Sequence, residues 1–120
     1  MIFHVVALDD WLAASDRPYA PRSLSDDGFV HCSPNEATTL AVATARFRYT
    51  IGPLMALLID ESKLDAMVRW EAADPEPPPG VPPSTQFPHV YGHINRTAVA
   101  GMMEIKRDED GRAVSLGPWS

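Results

Sequence analysis

The sequence predicts a mixed α+β domain with two principal helices and five to seven strands. Two short apolar runs, 2–6 and 54–59, have the length and the β-branched or aliphatic composition of buried strands. The longer segment 33–48 instead places apolar residues at spacings of three and four, as an amphipathic helix does. Twelve prolines and seven glycines keep the elements short. A chain of 120 residues is predicted to form a single domain over 1–120.

The first elements follow from local patterns. The strand 2–6 leads into a helix over 7–15, which has apolar residues at helical spacing and ends before Pro18. Residues 19–27 are polar and are predicted to be irregular, ending in an Asp-Gly turn. These patterns predict a strand, a helix and a loop before the second helix begins.

The second helix has a clear predicted start. Ser33 is predicted to be the N-cap, Pro34 the first helical residue and Glu36 the partner that completes a capping box. The helix is predicted to run to about Arg48. The free backbone N–H groups of its first turn, together with the helix dipole, favour binding of an anion such as phosphate or carboxylate.

The second half is predicted to consist mainly of strands. The apolar run 54–59 is predicted to be a central strand buried on both faces. The proline-rich segment 74–86 favours extended structure and has the length of a loop over or beside a site. The other ordered segments are 68–72, 87–94 and a terminal hairpin formed by 102–107 and 112–116.

Composition limits the function. The formal net charge of −6 argues against a broad surface for nucleic acid. No apolar run approaches the roughly 20 residues of a membrane span, and no basic stretch precedes the first apolar run. The single cysteine cannot form an internal disulfide. We therefore expect a cytoplasmic protein without membrane or general nucleic-acid partners, whose partner is a small molecule or nucleotide.

His31 and Cys32 lie immediately before the predicted helix start and are the first candidates for chemistry. Adjacent strand residues point to opposite faces, so His31 cannot easily activate the Cys32 thiol. We expect His31 to face a ligand. Cys32 is either a small buried hydrophobe or a nucleophile that takes its base from His4, His89 or His93.

Other polar residues allow both structural and functional interpretations. His4, in the first strand, is either a hydrogen-bonded core histidine or a ligand contact. Glu71 follows Trp70 and is either a surface carboxylate or a general base. Cationic contacts to a phosphate are expected from Arg17, Arg22 or Arg96.

His89, Tyr91 and His93 alternate and would share one face of a strand. That face is either the wall of a pocket or the solvent side of an edge strand. His89 and His93 are the only histidines close in sequence, and no nearby carboxylate completes a metal site. No metal is therefore expected.

Several segments together resemble a known family across nearly the whole chain. The resemblance is to DUF952, a small bacterial family whose name denotes a domain of unknown function. The segments are Ile2-Phe3-His4, Trp11, Tyr19 with Ser23-Leu24, Asp27-Gly28-Phe29-Val30-His31-Cys32-Ser33, Val68-Arg69-Trp70-Glu71 and Phe87-Pro88-His89-Val90-Tyr91-Gly92.

The resemblance implies a fold similar to that of ADP-ribosyltransferases, a split antiparallel β-sheet core with flanking helices that binds NAD in a cleft. In that superfamily a His or Arg of the first strand contacts the ribose, and His4 occupies the matching position. The second motif corresponds to 31–33. The third, often a catalytic Glu on a late strand, has no evident counterpart here. Glu71 and Glu104 are candidates, or His89 takes this place, as other residues do in the tRNA 2′-phosphotransferase branch.

The leading prediction is a small protein that binds NAD or a related nucleotide and transfers a ribosyl or phosphate group. The alternatives are a non-catalytic small-molecule binding module, a thiol-dependent enzyme using Cys32, and an interaction domain that docks a partner on its proline-rich loop. The predicted catalytic residues are His31, Glu71 and His89. The predicted cofactor-binding residues are His4, His31, Cys32, Ser33 and Tyr91.

Overall fold

A computed structural model of the protein describes residues 1–73 and 76–119. Within these residues the chain is mixed α+β, as predicted, with seven strands, three α-helices and two 3-10 helices. The strands are β1 (Ile2–Ala7), β2 (Val30–His31), β3 (Leu54–Ile59), β4 (Met67–Ala72), β5 (Gln86–Tyr91), β6 (Val99–Arg107) and β7 (Ala113–Pro118). The α-helices are α1 (Leu8–Leu12), α2 (Arg22–Asp27) and α3 (Glu36–Arg46), and the 3-10 helices are Glu61–Lys63 and Arg96–Ala98.

The strands form two antiparallel sheets. One has the order β1-β3-β6-β7 and the other has the order β2-β5-β4. β3 lies inside the larger sheet and five of its six residues are buried, which confirms the predicted central strand. The predicted terminal hairpin is the β6–β7 pair.

The core has two layers, one on each face of the larger sheet. Alternate β3 residues, Met55 and Leu57, pack with Val30 and Val90 of the smaller sheet. The intervening residue Ala56 packs on the other face, in a cluster that includes α3. The larger sheet is thus sandwiched between α3 and the smaller sheet, and the parity of β1 places His4 on the side of the smaller sheet.

Ser33 does not cap a helix, so the predicted helix start was wrong. Its N–H and C=O both pair with Phe3 of β1, at 2.7 and 2.9 Å, in an isolated bridge that joins the two sheets. The chain must therefore remain extended through this point. Asn35 is the N-cap instead, and its side chain accepts from the Thr38 N–H at 2.8 Å.

The other helices also differ from prediction. The segment 19–27, predicted to be irregular, contains α2, which ends at the left-handed Gly28. α1 ends at Leu12 rather than at 15, because the chain then turns through Ala14, whose φ is 50°. Tertiary hydrogen bonds from Arg96 to the carbonyls of Ala13 and Ala14 hold this turn, and no local sequence pattern reports them.

Candidate functional site

A cavity of about 420 Å³ lies beside β1, bordered by α2, β2, β5 and the last turn of α3. Its volume falls within the range of small-molecule sites in proteins. Five of the predicted site residues line it, namely His4, His31, Cys32, Ser33 and His89. The other two, Glu71 and Tyr91, are not part of its lining. Glu71 Oε1 accepts hydrogen bonds from both His89 and Tyr91, so these two residues are connected to the site through His89.

His4 is buried and neutral. Its Nδ1 lies 2.7 Å from the carbonyl oxygen of His31, and its Nε2 lies 3.4 Å from the Tyr19 hydroxyl. A carbonyl oxygen only accepts, so Nδ1 carries the proton and the Tyr19 hydroxyl donates to Nε2. Burial lowers the pKa of His4 to about 4, which keeps the ring uncharged at neutral pH. His4 therefore satisfies the description of a hydrogen-bonded core histidine while also lining the cavity.

His89 is held in one orientation by its neighbours. Its Nδ1 lies 2.8 Å from Glu71 Oε1, and the ring stacks on Phe29 with centroids 4.0 Å apart. The carboxylate can only accept, so Nδ1 donates. Nε2 makes no hydrogen bond to any described residue. None of the described residues has a side-chain nitrogen that is both fully buried and without a hydrogen bond. Nε2 therefore keeps some contact with solvent, and His89 lines the cavity.

Glu71 is the orienting group of this pair. It lies on the same sheet face as His89, since it pairs with Phe87 in the β4–β5 register. The Tyr91 hydroxyl donates to the same oxygen, Oε1. Hydrogen bonds from Tyr91 and then from His89 lower the pKa of the Glu71 carboxyl, so it is ionised at neutral pH.

His31 forms a second carboxylate–histidine pair. It lies directly opposite His89 in the β2–β5 register, and the two ring centroids are 5.8 Å apart. Its Nε2 lies 2.8 Å from Asp27 Oδ2, the last residue of α2. The left-handed turn at Gly28 returns the chain so that Asp27 and His31, four residues apart, can meet. Both histidines thus have one ring nitrogen committed to a carboxylate.

The arginines that line the cavity are only partly those that were predicted to contact phosphate. Of the three arginines predicted to contact phosphate, only Arg22 lines the cavity. Arg96 is committed elsewhere, because its guanidinium donates to four backbone carbonyls, Arg17 among them. Arg46, in the last turn of α3, also lines the cavity and was not predicted to do so.

Two further expectations were wrong. β5 ends at Tyr91, so His93 lies beyond the strand, exposed, and does not share the face of His89. The first turn of α3 does not border the cavity, so the predicted anion site at its N-terminus is not part of this site.

Glu104, the alternative late carboxylate, lies on β6 and pairs with Lys106 at 2.7 Å, away from the cavity.

Part of the proline-rich segment borders the cavity. Glu76 and Pro78 line the cavity together with Ala73, which precedes them. Asp74 and Pro75, also part of this predicted loop, lie outside the described residues.

Sequence reasoning missed Tyr19, Asp27 and Phe29 as parts of the site. The spacing of four between Asp27 and His31 was visible and favours a contact across a turn. The stacking of Phe29 on His89 had no local signal, because it depends on the β2–β5 pairing.

Cys32 is chemically protected by its position. It belongs to the buried core and is 3% exposed, and burial raises the pKa of its thiol well above the ordinary value. We predict that iodoacetamide alkylates native Cys32 at pH 8 at least 100-fold more slowly than the urea-unfolded chain, as measured by intact mass. Alkylation of the folded protein at the unfolded rate would contradict this and would favour a reactive thiol.

In residues 1–73 and 76–119, no group of three His, Cys, Asp or Glu side chains is arranged to hold a metal ion. No helix in that part of the chain is long and apolar enough to cross a membrane.

The fold and the site together define an α+β protein of two antiparallel sheets with a histidine-lined cavity. The chain belongs to the family described as "Protein of unknown function (DUF952)", whose profile matches residues 5–102. Its structure is similar to the crystal structure of protein CC0527 from Caulobacter crescentus, at 23% identity and a TM-score of 0.75, over 94% of this chain and 92% of that one. A double mutant of CC0527 is similar to the same extent. No curated protein matched the chain.

Proposed function

We propose that the cavity binds NAD or a related nucleotide and that the protein transfers a ribosyl or phosphate group. The observation that carries this proposal is the Glu71–His89 pair at the cavity wall. A histidine whose Nδ1 donates to a carboxylate presents Nε2 as a proton acceptor, and the carboxylate stabilises the imidazolium that forms. The pair is suited to deprotonate an attacking hydroxyl.

The rest of the lining fits a nucleotide. Arg22 and Arg46 supply two cations for phosphate oxygens. The lining also has hydroxyl groups, from Tyr19 and Ser33, next to apolar residues such as Phe87. His4 is proposed to contact a ribose hydroxyl through Nε2, in exchange for the 3.4 Å hydrogen bond from the Tyr19 hydroxyl.

In the ribosyl form of this reaction, the bond between C1′ of the ribose and nicotinamide breaks and nicotinamide leaves with the electron pair. The attacking hydroxyl forms the new bond to C1′ and gives its proton to His89 Nε2. Such a step depends on positioning and charge stabilisation more than on covalent catalysis. General base catalysis of this kind contributes about 10²–10⁴-fold.

A non-catalytic binding module is the second candidate. It is favoured by the position of Glu71, whose carboxylate is engaged behind His89 instead of lining the cavity. A thiol-dependent enzyme is disfavoured by the burial of Cys32.

Binding is tested by isothermal titration calorimetry with NAD, ADP-ribose and AMP. We predict that Arg46→Gln weakens binding about 10- to 150-fold, since a charge-assisted contact to phosphate is worth about 1.5–3 kcal/mol. Arg112→Gln is the matched control, because Arg112 is an exposed arginine outside the cavity. Absence of binding at millimolar concentrations of all three nucleotides, or equal losses in the two variants, would contradict the proposal.

A further inference from the structure

We propose that His31 and His89 form a general acid and general base pair, and that the group transferred is therefore the phosphate of a small nucleoside phosphodiester. The inference rests on the proposed function and favours transfer of a phosphate group over transfer of a ribosyl group. In the reaction, His89 accepts the proton of the attacking hydroxyl and His31 supplies a proton to the leaving oxygen.

The geometry places two carboxylate–histidine pairs next to each other. His31 and His89 are cross-strand neighbours, each with one nitrogen on a carboxylate and the other without a hydrogen bond to a described residue. Both rings contact Phe29, at 4.6 and 4.0 Å between centroids. With 5.8 Å between their own centroids, the two imidazoles can bond different oxygens of one phosphate at hydrogen-bond lengths of about 2.7–3.0 Å.

The leaving group decides between the two reactions. Nicotinamide departs from NAD as a neutral molecule and takes no proton, so a general acid has no role in that step. A ribose oxygen departing from phosphorus is a poor leaving group unless a proton is delivered to it. A site with both an acid and a base therefore suits cleavage of a phosphorus–oxygen bond.

The charges around the cavity disfavour a ligand with several negative charges. Its described lining has two arginines, Arg22 and Arg46, and three carboxylates, Asp10, Asp27 and Glu76. Asp27 is engaged with His31. Because the two arginines do not outnumber the remaining carboxylates, a phosphodiester with one negative charge meets less repulsion in the cavity than a polyphosphate does.

The step balances without a further reactant. An oxygen of water forms a bond to phosphorus and its proton moves to His89 Nε2. The bond from phosphorus to the ribose oxygen breaks, and that oxygen keeps the electron pair and takes a proton from His31 Nδ1. Exchange of one proton with solvent at each histidine restores the starting state. Asp27 and Glu71 act as positioning residues.

The test uses two phosphodiesters with different leaving groups. Hydrolysis of 2′,3′-cyclic AMP requires protonation of a ribose oxygen, whereas bis(4-nitrophenyl) phosphate releases a stable phenolate. We predict that the protein hydrolyses both, and that His31→Ala slows the cyclic nucleotide at least 100-fold but the nitrophenyl ester less than tenfold. His89→Ala slows both at least 100-fold.

Controls separate chemistry from folding. His93→Ala changes an exposed histidine outside the cavity and is expected to leave both rates unchanged. His89 is buried, so His89→Gln is measured beside His89→Ala, with circular dichroism reporting the fold of each variant. Equal losses on the two esters in His31→Ala would overturn the acid–base assignment.

Failure of this inference can be distinguished from failure of the proposed function. If calorimetry detects nucleotide binding but neither ester is hydrolysed, the acid–base pair is overturned and nucleotide binding remains. If no nucleotide binds at all, the proposed function fails with it.

Discussion

Replacing Arg96 by Ala is expected to lower the free energy of unfolding by about 3–4 kcal/mol, the largest effect predicted for a single side chain here. The guanidinium donates to the carbonyl oxygens of Trp11 at 2.8 Å and Arg17 at 2.7 Å, with longer contacts to Ala13 and Ala14. It also lies over the Trp11 ring, 4.1 Å from the centroid. Hydrogen bonds to charged groups contribute about 1.5–3 kcal/mol each, and partial exposure reduces the sum.

The expected loss of stability in Arg96→Ala has a second source, in the backbone conformation at Ala14. Ala14 has φ of 50°, a left-handed conformation that a residue with a Cβ adopts at a cost of about 1–3 kcal/mol. Arg96 bonds the carbonyls around this turn and so holds it in place. The chain then runs to Tyr19, which pairs with Ile94 through two backbone hydrogen bonds of 2.9 Å. Loss of Arg96 therefore loosens the segment that carries a wall of the cavity.

Urea unfolding followed by circular dichroism measures the effect. Arg112→Ala is the control, because Arg112 is exposed and its ion pair with Asp110 spans 3.8 Å. Surface substitutions of this kind change stability by about 0.5 kcal/mol or less. Arg96→Lys is expected to fall between the two, since an ammonium cannot reach four carbonyls with fixed planar geometry. If Arg96→Ala lowers the free energy of unfolding by less than about 1 kcal/mol, the prediction is contradicted, because water then replaces Arg96 as hydrogen-bond donor to the carbonyls.

Stability is expected to fall by about 3 kcal/mol between pH 7 and pH 4 through His4 alone. Burial lowers the pKa of His4 in the folded protein from 6.5 to about 4. Below pH 6.5 the unfolded chain binds a proton that the folded chain does not, so unfolding becomes more favourable as the pH falls. The contribution of His4 is complete above pH 6.5 and is lost toward pH 4. The lowered pKa of Glu71 acts in the same direction, below its ordinary value of 4.5.

His4→Gln tests the origin of this pH dependence. The variant is less stable at pH 7, and the difference between its unfolding free energies at pH 7 and pH 4.5 is expected to shrink by about 2–3 kcal/mol relative to the parent. His93→Gln replaces an exposed histidine and should keep the parent's pH dependence. If His4→Gln retains the full slope, the group responsible lies elsewhere in the protein.

Elements specified by local pattern were predicted correctly. The run 54–59 is apolar at every position and forms a strand over the predicted bounds, with five of its six residues buried. The terminal hairpin is marked by the turn sequence 108–111 and forms as the β6–β7 pair. Both depend on interactions between residues that are close in the sequence, or on composition alone, and these are properties that a single sequence displays.

Elements decided by distant partners were not predicted correctly. Ser33 has the composition of an N-cap, but its backbone is taken by Phe3, thirty positions earlier, and the helix starts later. α2 buries no residue, so it has no amphipathic pattern to detect. Its end depends on the left-handed Gly28.

The sequence singled out candidate residues but could not predict how they are arranged. His31, Glu71 and His89 were each identified by residue type and position, yet their convergence depends on the β2–β5–β4 register. The two carboxylate–histidine pairs follow from that register and from the turn at Gly28. The expected role of His93 failed because β5 ends two residues before it.

The measurement that tests the central claim most directly is a crystal structure of the protein soaked with ADP-ribose. We predict nucleotide density in the cavity beside β1, with a phosphate or ribose oxygen within hydrogen-bond distance of His89 Nε2 and Arg46 near a phosphate. A cavity that stays empty at saturating ADP-ribose, or nucleotide bound only on another surface, would contradict the assignment of this cavity as the functional site.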